Sequence, residues 1–392
     1  MREAVIIGAA RTAVGSFLGS LAGMPAPKLG AAAIAEAVSR SGIRKEDVGQ
    51  VIMGNVLSAG IGQAPARQAG IHAGIPVSAG AVTINKMCGS GLKAVMLAAQ
   101  SVATGEFDIV VAGGMESMSQ APYLLAKGRT GYRLGNDVLL DHMIVDGLQD
   151  AYNDIHMGRC AEMLNREQRI SREDQDEYAA TSYRRALAAI ADGKFDAEIV
   201  GVEVPQRKGP PQVFRRDEEP GRGNIDKLPS LKPVFEKDGS VTAGNASTIN
   251  DGAAAVVVTS AETAKNRKLR PIARIVGFTT ASLEPVWFTI APVEAIRKLF
   301  EKTGVAKEEV GLFEINEAFA SVAIAAIRNL KLDPERVNVH GGAVALGHPI
   351  GASGARILTT LIYALADWKE RYGVASLCIG GGEAVAMLVE RL

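Results

Sequence analysis

Residues 87–114 of this 392-residue chain read MCGSGLKAVMLAAQSVATGEFDIVVAGG, and they indicate its fold class. The stretch predicts a helix from Leu92 to Thr104, followed by a buried strand from Asp108 to Ala112 that ends in two glycines. Cys88 then lies in a glycine-rich turn between a strand and this helix. The unpaired N–H groups and partial positive charge of a helix amino terminus favour a thiolate and any oxyanion formed beside it.

The carboxy-terminal part of the chain repeats this plan. Residues 351–355, GASGA, open a predicted helix that runs to about Asp367, and Val374 to Ile379 is a predicted strand that again ends in glycines. A Ser-Gly pair opens both helices, at Ser90 and at Ser353. Two related α/β halves would explain this weak internal similarity, and chance likeness between glycine-rich units explains it equally well.

Further short elements alternate in the same way. Predicted strands cover Ala4 to Gly8 and Gln50 to Met53, and an alanine-rich helix covers Lys28 to Arg40. From about Ser119 to Asn250 the chain is more polar and irregular, as in an insertion that carries substrate contacts, an oligomer interface or only solvated loops. Within it, residues 171–174, SRED, predict a capping box at the start of a helix to about Ala191.

Composition argues against several classes of partner. The chain has 43 basic and 43 acidic residues, so its net charge gives no reason to expect nucleic acid as a partner. No apolar run approaches the roughly 20 residues that span a bilayer, and the chain begins without the regions of a signal peptide. Three cysteines, an odd number in a long chain, argue against a disulfide framework and predict a reducing cytosol.

Four side chains in glycine-rich or strand-end positions are candidates for catalysis. Cys88 and Cys378 are both framed by glycines, which let backbone N–H groups approach a substrate closely. A reactive thiol needs a neighbouring base, and His348 is presented from a Gly-His-Pro turn. Asn316 follows a predicted strand that ends at Ile315, and its amide can hold a water or an oxyanion.

Each candidate also has a purely structural interpretation. Buried cysteines are usually inert and pack as small hydrophobic groups, and this interpretation is kept for Cys160. Asn316 can instead cap the following helix, with Glu317 in its first turn. His156 and Cys160 lie four residues apart, but no Cys-x-x-Cys pair or His-Glu-x-x-His run accompanies them, so no metal site is predicted.

Several ordered motifs in this chain resemble those of the thiolase family, which makes or cleaves 3-ketoacyl-CoA. The resemblance extends from Ile6 to Leu392. Its most specific stretches are NKMCGSG at residues 85–91, AGGMESMS at 112–119, NEAF at 316–319, GGAVALGHPIGASGAR at 341–356 and CIGGG at 378–382.

The resemblance implies a five-layer α-β-α-β-α fold of two similar halves with an inserted loop domain, and it therefore favours duplication over chance. Residues 1–118 plus 251–270 would form the amino-terminal half. Residues 119–250 would form the loop domain, for CoA binding and oligomerisation, and residues 271–392 the carboxy-terminal half.

Catalytic roles follow from the same resemblance. It implies that Cys88 is the nucleophile that becomes acylated and that His348 is the base that activates it. Cys378 would be the second acid/base, because Claisen condensation must remove a proton from the α-carbon of acetyl-CoA. His348 and a water held by Asn316 would bind the enolate oxygen, and the backbone N–H groups of Cys88 and Gly380 would form a second oxyanion hole.

The resemblance also implies a tunnel for the pantetheine arm of CoA. Its expected lining is Leu148, His156, Met157, Phe235, Ala243, Ser247, Ala318 and Phe319. Many relatives have an arginine for a CoA phosphate directly after an Asp-Glu-Glu-Pro run; here Gly221 follows, and Arg222 is the candidate substitute. Many biosynthetic relatives have Met-Gly-x-Gly-Pro before a helix that starts near Val293, whereas the bulk of Trp287 and Phe288 here predicts a preference for short acyl groups.

The expected reaction is the reversible condensation of two acetyl-CoA to acetoacetyl-CoA and CoA, by a ping-pong mechanism through an acyl-cysteine. The family implies CoA and acyl-CoA as substrates, no prosthetic group, no metal and commonly a homotetramer, a dimer of dimers. One alternative is a 3-ketoacyl-CoA thiolase of fatty-acid β-oxidation with longer substrates. A decarboxylating 3-ketoacyl synthase would not need Cys378, and a noncatalytic CoA- or lipid-binding protein on this fold would lose the chemistry.

Overall fold

Long strands form the framework of the protein, whose computed structural model describes residues 2–392. In chain order the strands are β1 (Ala4–Thr12), β2 (Gln50–Gly54), β3 (Gly80–Ile84), β4 (Ile109–Ser117), β5 (Asn250–Ser260), β6 (Ala273–Ser282), β7 (Val310–Ile315), β8 (Tyr372–Ile379) and β9 (Glu383–Arg391). The helices are α1 (Ala26–Ser41), α2 (Pro65–His72), α3 (Ser90–Thr104), α4 (Met157–Glu167), α5 (Arg172–Ala191), α6 (Ala261–Asn266), α7 (Ala291–Thr303), α8 (Ala320–Leu330), α9 (Ala343–Leu346) and α10 (Ser353–Trp368).

The strands pair in the order β7-β8-β9-β6-β1-β5-β4-β2-β3. In the first half, β2 is parallel to β4, β4 is antiparallel to β5, and β5 is antiparallel to β1. In the second half, β7 is parallel to β8, β8 is antiparallel to β9, and β9 is antiparallel to β6. Because the two halves repeat one pattern of pairing, the internal similarity in the sequence reflects two related units. They join through a short antiparallel contact between β1 and β6.

Buried apolar clusters define five layers. Helices α3 and α10 pack in the middle, between the strands of the first half and those of the second. Helix α1 covers the outer face of the first half, and α7 with α8 covers the outer face of the second half. The layers therefore follow the predicted order α-β-α-β-α, and the apolar strands are buried on both faces, as expected for strands between helices.

The two central helices meet at their first turns. A Cβ atom on Gly91 of α3 would lie 2.7 Å from the backbone nitrogen of Ala355, and one on Gly354 of α10 would lie 2.4 Å from that of Leu92. Only glycine permits backbones to approach this closely. Helix α3 begins at Ser90, two residues before the predicted start at Leu92, and α10 begins at Ser353. The turns that precede α3 and α10, which carry the candidate nucleophile and base, are therefore brought to one end of the central layer.

Element boundaries differ modestly from the sequence predictions. Strand β1 continues to Thr12, beyond the predicted end at Gly8, because Ala9 to Arg11 keep pairing with β5. Helix α1 begins at Ala26 after Pro25, and α7 begins at Ala291 rather than near Val293. In both cases a proline stands in the first turn, where its missing N–H costs nothing.

The segment from 119 to 250 contains two helices, α4 and α5, among short strands and turns. The capping box at the start of α5 is confirmed: Ser171 Oγ accepts from the Asp174 N–H at 3.0 Å, and Asp174 Oδ2 accepts from the Ser171 N–H at 2.9 Å. A one-turn π-helix, Ile144–Leu148, brings Leu148 toward the interior. Within residues 2–392, no helix combines the length and apolar character needed to cross a membrane.

Candidate active site

Cys88 lies in a tight turn between β3 and α3, as predicted. Met87 before it has a φ of 45°, a left-handed conformation that is uncommon for a residue with a side chain. Ser90 closes the turn, because its Oγ accepts from the Lys86 N–H at 2.8 Å and donates to the Met87 carbonyl at 2.6 Å. Strained backbone that is held in this way is often found at reactive residues.

The turn opens into an elongated cavity of about 260 Å³. Cys88, His348 and Gly380 all line this cavity, together with Met118, Phe288 and Ile350. Most of the predicted pantetheine contacts line the same space, namely Leu148, His156, Met157, Phe235, Ser247, Ala318 and Phe319. The structure thus brings together, around one apolar cavity, residues that lie hundreds of positions apart in the chain.

The two remaining predicted CoA contacts lie farther out. Ala243 and Arg222 line an adjoining cavity of about 350 Å³, which shares Phe235 and Ser247 with the inner one. Arg222 is 55% exposed at its side chain and lies 3.7 Å from a carboxylate oxygen of Glu218. An exposed guanidinium at the mouth of an apolar channel is available to an anionic group outside it.

Hydrogen bonds define the tautomer of His348. Its Nδ1 lies 2.6 Å from Ser353 Oγ, and that hydroxyl donates to the Pro349 carbonyl at 3.0 Å. With the serine proton directed at the Pro349 carbonyl, Nδ1–H of the imidazole is the donor to Ser353. Nε2 then carries a lone pair, as a base requires, and this lone pair accepts from the amide N–H of Asn316 at 3.4 Å.

The backbone of His348 is held from the opposite side by Asn250. The amide oxygen of Asn250 accepts from the His348 N–H at 2.9 Å. Gly347 has a φ of 100°, and a Cβ atom there would lie 2.4 Å from the Asn250 side chain, so the position requires glycine both conformationally and sterically. The prediction that Gly347 frees the turn before His348 is confirmed.

Both members of the Cys88–His348 pair are neutral at physiological pH. The apolar surroundings raise the pKa of the Cys88 thiol to about 11, although the nearby backbone N–H groups of Gly380 and of Cys88 itself oppose this rise. Burial, with a smaller effect from the charge of Arg356, lowers the pKa of His348 to about 3. The pair can therefore transfer a proton from thiol to imidazole when a substrate reacts, rather than rest as an ion pair.

Cys378 and Asn316 lie behind the cavity wall. Cys378 is the penultimate residue of β8 and is fully buried in an apolar cluster with Met157 and Phe288. Burial, and then the nearby Cys88, raises the pKa of its thiol well above the usual range, so the thiol is protonated at rest. Asn316 is also buried, and its Oδ1 accepts no hydrogen bond from any of residues 2–392.

The alternative role of Asn316 as a helix cap is wrong. Helix α8 begins only at Ala320, and no side chain caps it. Glu317 is not in a first helical turn either. Its carboxylate is buried and accepts from Tyr178, Ser182 and Asn338 side chains and from the Val344 N–H.

Comparison with known families identifies this arrangement. The family model described as "Thiolase, N-terminal domain" matches residues 4–262, and that described as "Thiolase, C-terminal domain" matches residues 269–391. The chain belongs to the thiolase family. The thiolase fold predicted from the sequence motifs is thus confirmed.

Individual thiolase relatives match along their whole length. The acetyl-CoA acetyltransferases of Pseudomonas aeruginosa and Cupriavidus necator are 52% and 53% identical to this chain, and each alignment covers all of both chains. The crystal structure of Bacillus anthracis acetyl-CoA acetyltransferase matches with a TM-score of 0.98 at 43% identity, over 100% of this chain and 99% of that one. That of Acat5 thiolase from Ascaris suum in complex with coenzyme A matches with a TM-score of 0.95 at 44% identity, over 100% of both.

His156 has a local structural role in this thiolase. Its Nδ1 accepts from the Gly158 N–H at 3.0 Å, which caps α4, and its ring stacks on Phe235 with centroids 4.6 Å apart. Burial lowers the pKa of His156, so the imidazole is neutral where it lines the cavity. Cys160, one turn later, is fully buried in the apolar cluster and does not line the cavity.

The two bulky residues before α7 have different environments. Phe288 is only 2% exposed and lines the thiolase cavity. Trp287, which the sequence placed beside the acyl pocket with Phe288, does not line this cavity. It is the last residue of a 3₁₀ turn, Pro285–Trp287, and in such a turn consecutive side chains point in different directions.

Sequence reasoning did not identify Ser353 and Asn250 as the residues that hold His348. In the sequence Ser353 marks only the opening of a helix, and its position five residues after His348 in one glycine-rich loop is the available signal for the contact. Asn250 lies 98 positions away, and no local pattern marks it.

Ser353→Ala tests the role of the hydrogen bond between His348 Nδ1 and Ser353 Oγ. We expect the rate of acetyl transfer to fall roughly tenfold or more, because the imidazole loses the acceptor that fixes its tautomer. The rate of Cys88 acetylation by acetyl-CoA, followed by intact-protein mass spectrometry, measures this. Thr359→Ala is the matched control, since Thr359 bonds only to its own helix, at the Ala355 carbonyl. Equal rates in the two variants would contradict the role.

Proposed function

We propose that this thiolase catalyses the reversible condensation of two acetyl-CoA to acetoacetyl-CoA and CoA. The observation that carries the proposal is the meeting of Cys88, His348 and the Gly380 N–H in one apolar cavity, with the Cys378 thiol behind it. Relatives named acetyl-CoA acetyltransferase at 52–53% identity over the full chain support this substrate. A longer-chain thiolase and a noncatalytic CoA-binding protein are less well supported.

Cys88 is proposed to take the acetyl group. His348 Nε2 removes the thiol proton as sulfur attacks the thioester carbonyl, and the oxygen that becomes negative is stabilised by the N–H groups of Cys88 and Gly380. These two N–H groups lie near the Cys88 sulfur in the resting site and oppose the rise in the pKa of the thiol, so they are close to where the reacting carbonyl must lie. CoA leaves with the proton from His348, and an acetyl-cysteine remains.

Cys378 is proposed to transfer the proton at carbon. In the cleavage direction, Cys88 gives its proton to His348 and attacks the ketone, and the carbon–carbon bond breaks to release the enolate of acetyl-CoA. His348 and a water on Asn316 stabilise the enolate oxygen. Cys378 protonates the α-carbon, and the proton on His348 then restores the Cys378 thiol. CoA thiol finally collects the acetyl group and returns a proton to Cys88, so protons and atoms balance.

Kinetics of thiolysis across a series of 3-ketoacyl-CoA chain lengths test this proposal. We expect the highest kcat/KM with acetoacetyl-CoA, together with an acetyl adduct on Cys88 in peptide mass spectrometry. Turnover that rises toward long chains would favour the β-oxidation alternative. Consumption of malonyl thioesters would instead indicate a decarboxylating synthase.

Phe288 is proposed to limit the acyl chain length. Phe288→Val should raise kcat/KM for 3-ketohexanoyl-CoA relative to acetoacetyl-CoA by about tenfold, because one or two methylenes in an apolar pocket are worth ~1–3 kcal/mol. Trp287→Val is the matched control, since Trp287 does not line the cavity. The ratio of the two kcat/KM values is measured for each variant. A ratio that changes equally in both, or in neither, would remove Phe288 as the determinant.

Three further properties belong to the proposal. The chemistry described needs no prosthetic group. A homotetramer is supported by apolar side chains exposed between residues 123 and 139, among them Tyr123, Leu125, Leu134 and Val138. A reducing cytosol would keep Cys88 and Cys378 as thiols, and sedimentation analysis and cell fractionation would test these two points.

A further inference from the structure

Glu116 is a buried carboxylate next to the site. It lies near the end of β4, is fully buried and accepts four hydrogen bonds. Oε1 accepts from the Asn55 amide at 2.7 Å and from the Leu57 N–H at 3.1 Å. Oε2 accepts from the Val56 N–H at 3.0 Å and from the Gly351 N–H at 2.9 Å.

These four donors come from two separate segments that enclose the reacting groups. Asn55 to Leu57 follow β2, and Gly351 lies three residues after His348. Val56, Leu57 and Ile350 form one apolar cluster, and Cys88 packs against it. Glu116 therefore connects the wall behind Cys88 to the loop that carries His348.

The loop after His348 packs so closely against β4 that neither backbone can shift toward the other. A Cβ atom on Gly351 would lie 2.6 Å from Glu116 Oε2, and one on Gly114 would lie 2.0 Å from the Gly351 carbonyl oxygen. Two glycines thus let the loop after His348 lie directly on β4. A small displacement of this loop would move the base relative to the thiol, and misplacement by about 1 Å can cost roughly a hundredfold in rate.

Glu116 has no basic partner among residues 2–392 within ion-pair distance. Burying an unpaired carboxylate is costly, and burial raises the pKa of Glu116 to about 7. Four hydrogen bonds from backbone and amide groups offset part of this cost. A buried acid with this arrangement is explained by what it holds in place rather than by its contribution to stability.

We propose that Glu116 is a positioning residue of the thiolase reaction: its carboxylate fixes the loop after His348 against the loop after β2 and so sets the geometry between His348 and Cys88. This inference rests on the proposed function. Glu116 does not touch the substrate cavity, and its effect is exerted through the two loops.

The charge of Glu116 supplies a readout that does not depend on turnover. Its negative charge lies close enough to Cys88 to contribute to the raised pKa of the thiol. Glu116→Gln keeps the length of the side chain but removes this charge and one of the two acceptor oxygens. The pH profile of Cys88 alkylation by iodoacetamide should therefore shift to lower pH in this variant, which a merely structural residue would not cause.

Single-turnover acetylation of Cys88 is the main measurement. We expect Glu116→Gln to acetylate at least about tenfold more slowly than wild type, with the Kd for CoA changed less than about twofold. Glu198→Gln is the control. Glu198 is also a fully buried acid, but its side chain bonds to Arg11 and Thr360 and makes no hydrogen bond to either of the two loops within residues 2–392. That variant should lose thermal stability yet acetylate at the wild-type rate.

Acetylation within twofold of wild type in Glu116→Gln, or an equal loss in Glu198→Gln, would overturn the inference. If Glu116→Gln does not fold, Asn55→Ala removes a single bond to Glu116 and must still slow acetylation while CoA binding persists; otherwise the inference fails. Absence of acetylation in the wild-type protein would refute the proposed function instead. The alkylation profile would then still decide whether Glu116 acts on Cys88.

Discussion

Cys88→Ala is expected to abolish acetyl transfer, with a fall in kcat of at least about 10⁴-fold, because Cys88 is the only thiol among residues 2–392 that lines the cavity. Wild-type protein incubated with acetyl-CoA should gain the mass of one acetyl group, and the variant should gain none. Affinity for CoA should persist, since the pantetheine lining is unchanged. The loss would therefore appear in kcat rather than in binding.

Cys160→Ala is the matched control for this experiment. Cys160 is the third thiol of the chain and is buried in the same apolar cluster as Cys378, but it does not line the cavity. Its replacement should leave acetylation intact. An acetyl adduct that forms on Cys88→Ala at the wild-type rate would show that the nucleophile lies elsewhere and would favour a noncatalytic role for this cavity.

Cys378→Ala is expected to separate the two halves of the reaction. Thiolysis of acetoacetyl-CoA should fall by about 10³-fold or more, because the departing carbon loses its proton donor. Exchange of the acetyl group between acetyl-CoA and labelled CoA needs only Cys88 and His348, and it should stay within about tenfold of wild type. Both rates are measured on the same preparation.

The ratio of these two rates is decisive. A parallel loss of thiolysis and exchange would mean that Cys378 supports the structure of the site rather than proton transfer at carbon. Retention of both would favour a decarboxylating synthase, which does not need the second thiol. The change removes only a sulfur atom from a buried apolar cluster, so the variant should fold.

The fold was accessible from the sequence because its main signals are local. The turn at Cys88, the helix after it and the strand that follows occupy fewer than 30 consecutive residues, and the unit recurs near Ser353. Repeated βα units with glycine-rich turns restrict the possible topologies strongly. The motifs shared with thiolases then fixed the number of layers.

The supporting contacts of the site were not accessible in this way. Asn250 and His348 are separated by 98 positions, and Glu116 and Gly351 by 235, so only the folded chain places them together. Adjacent bulky residues such as Trp287 and Phe288 pose a different problem. The sequence shows the size of these two side chains, but the backbone conformation of the turn decides which of them lines the cavity.

The contact between the first turns of α3 and α10 has an evolutionary consequence. Gly91 and Gly354 each lie against backbone of the other half, so a larger residue at either position would require the opposite helix to shift. Amino-acid substitutions in one half are therefore constrained by the other half. A duplication would at first have produced two copies without this constraint. The two halves must be inherited as a matched pair, and recombination that exchanges only one of them between distant relatives would disturb the nucleophile and the base at the same time.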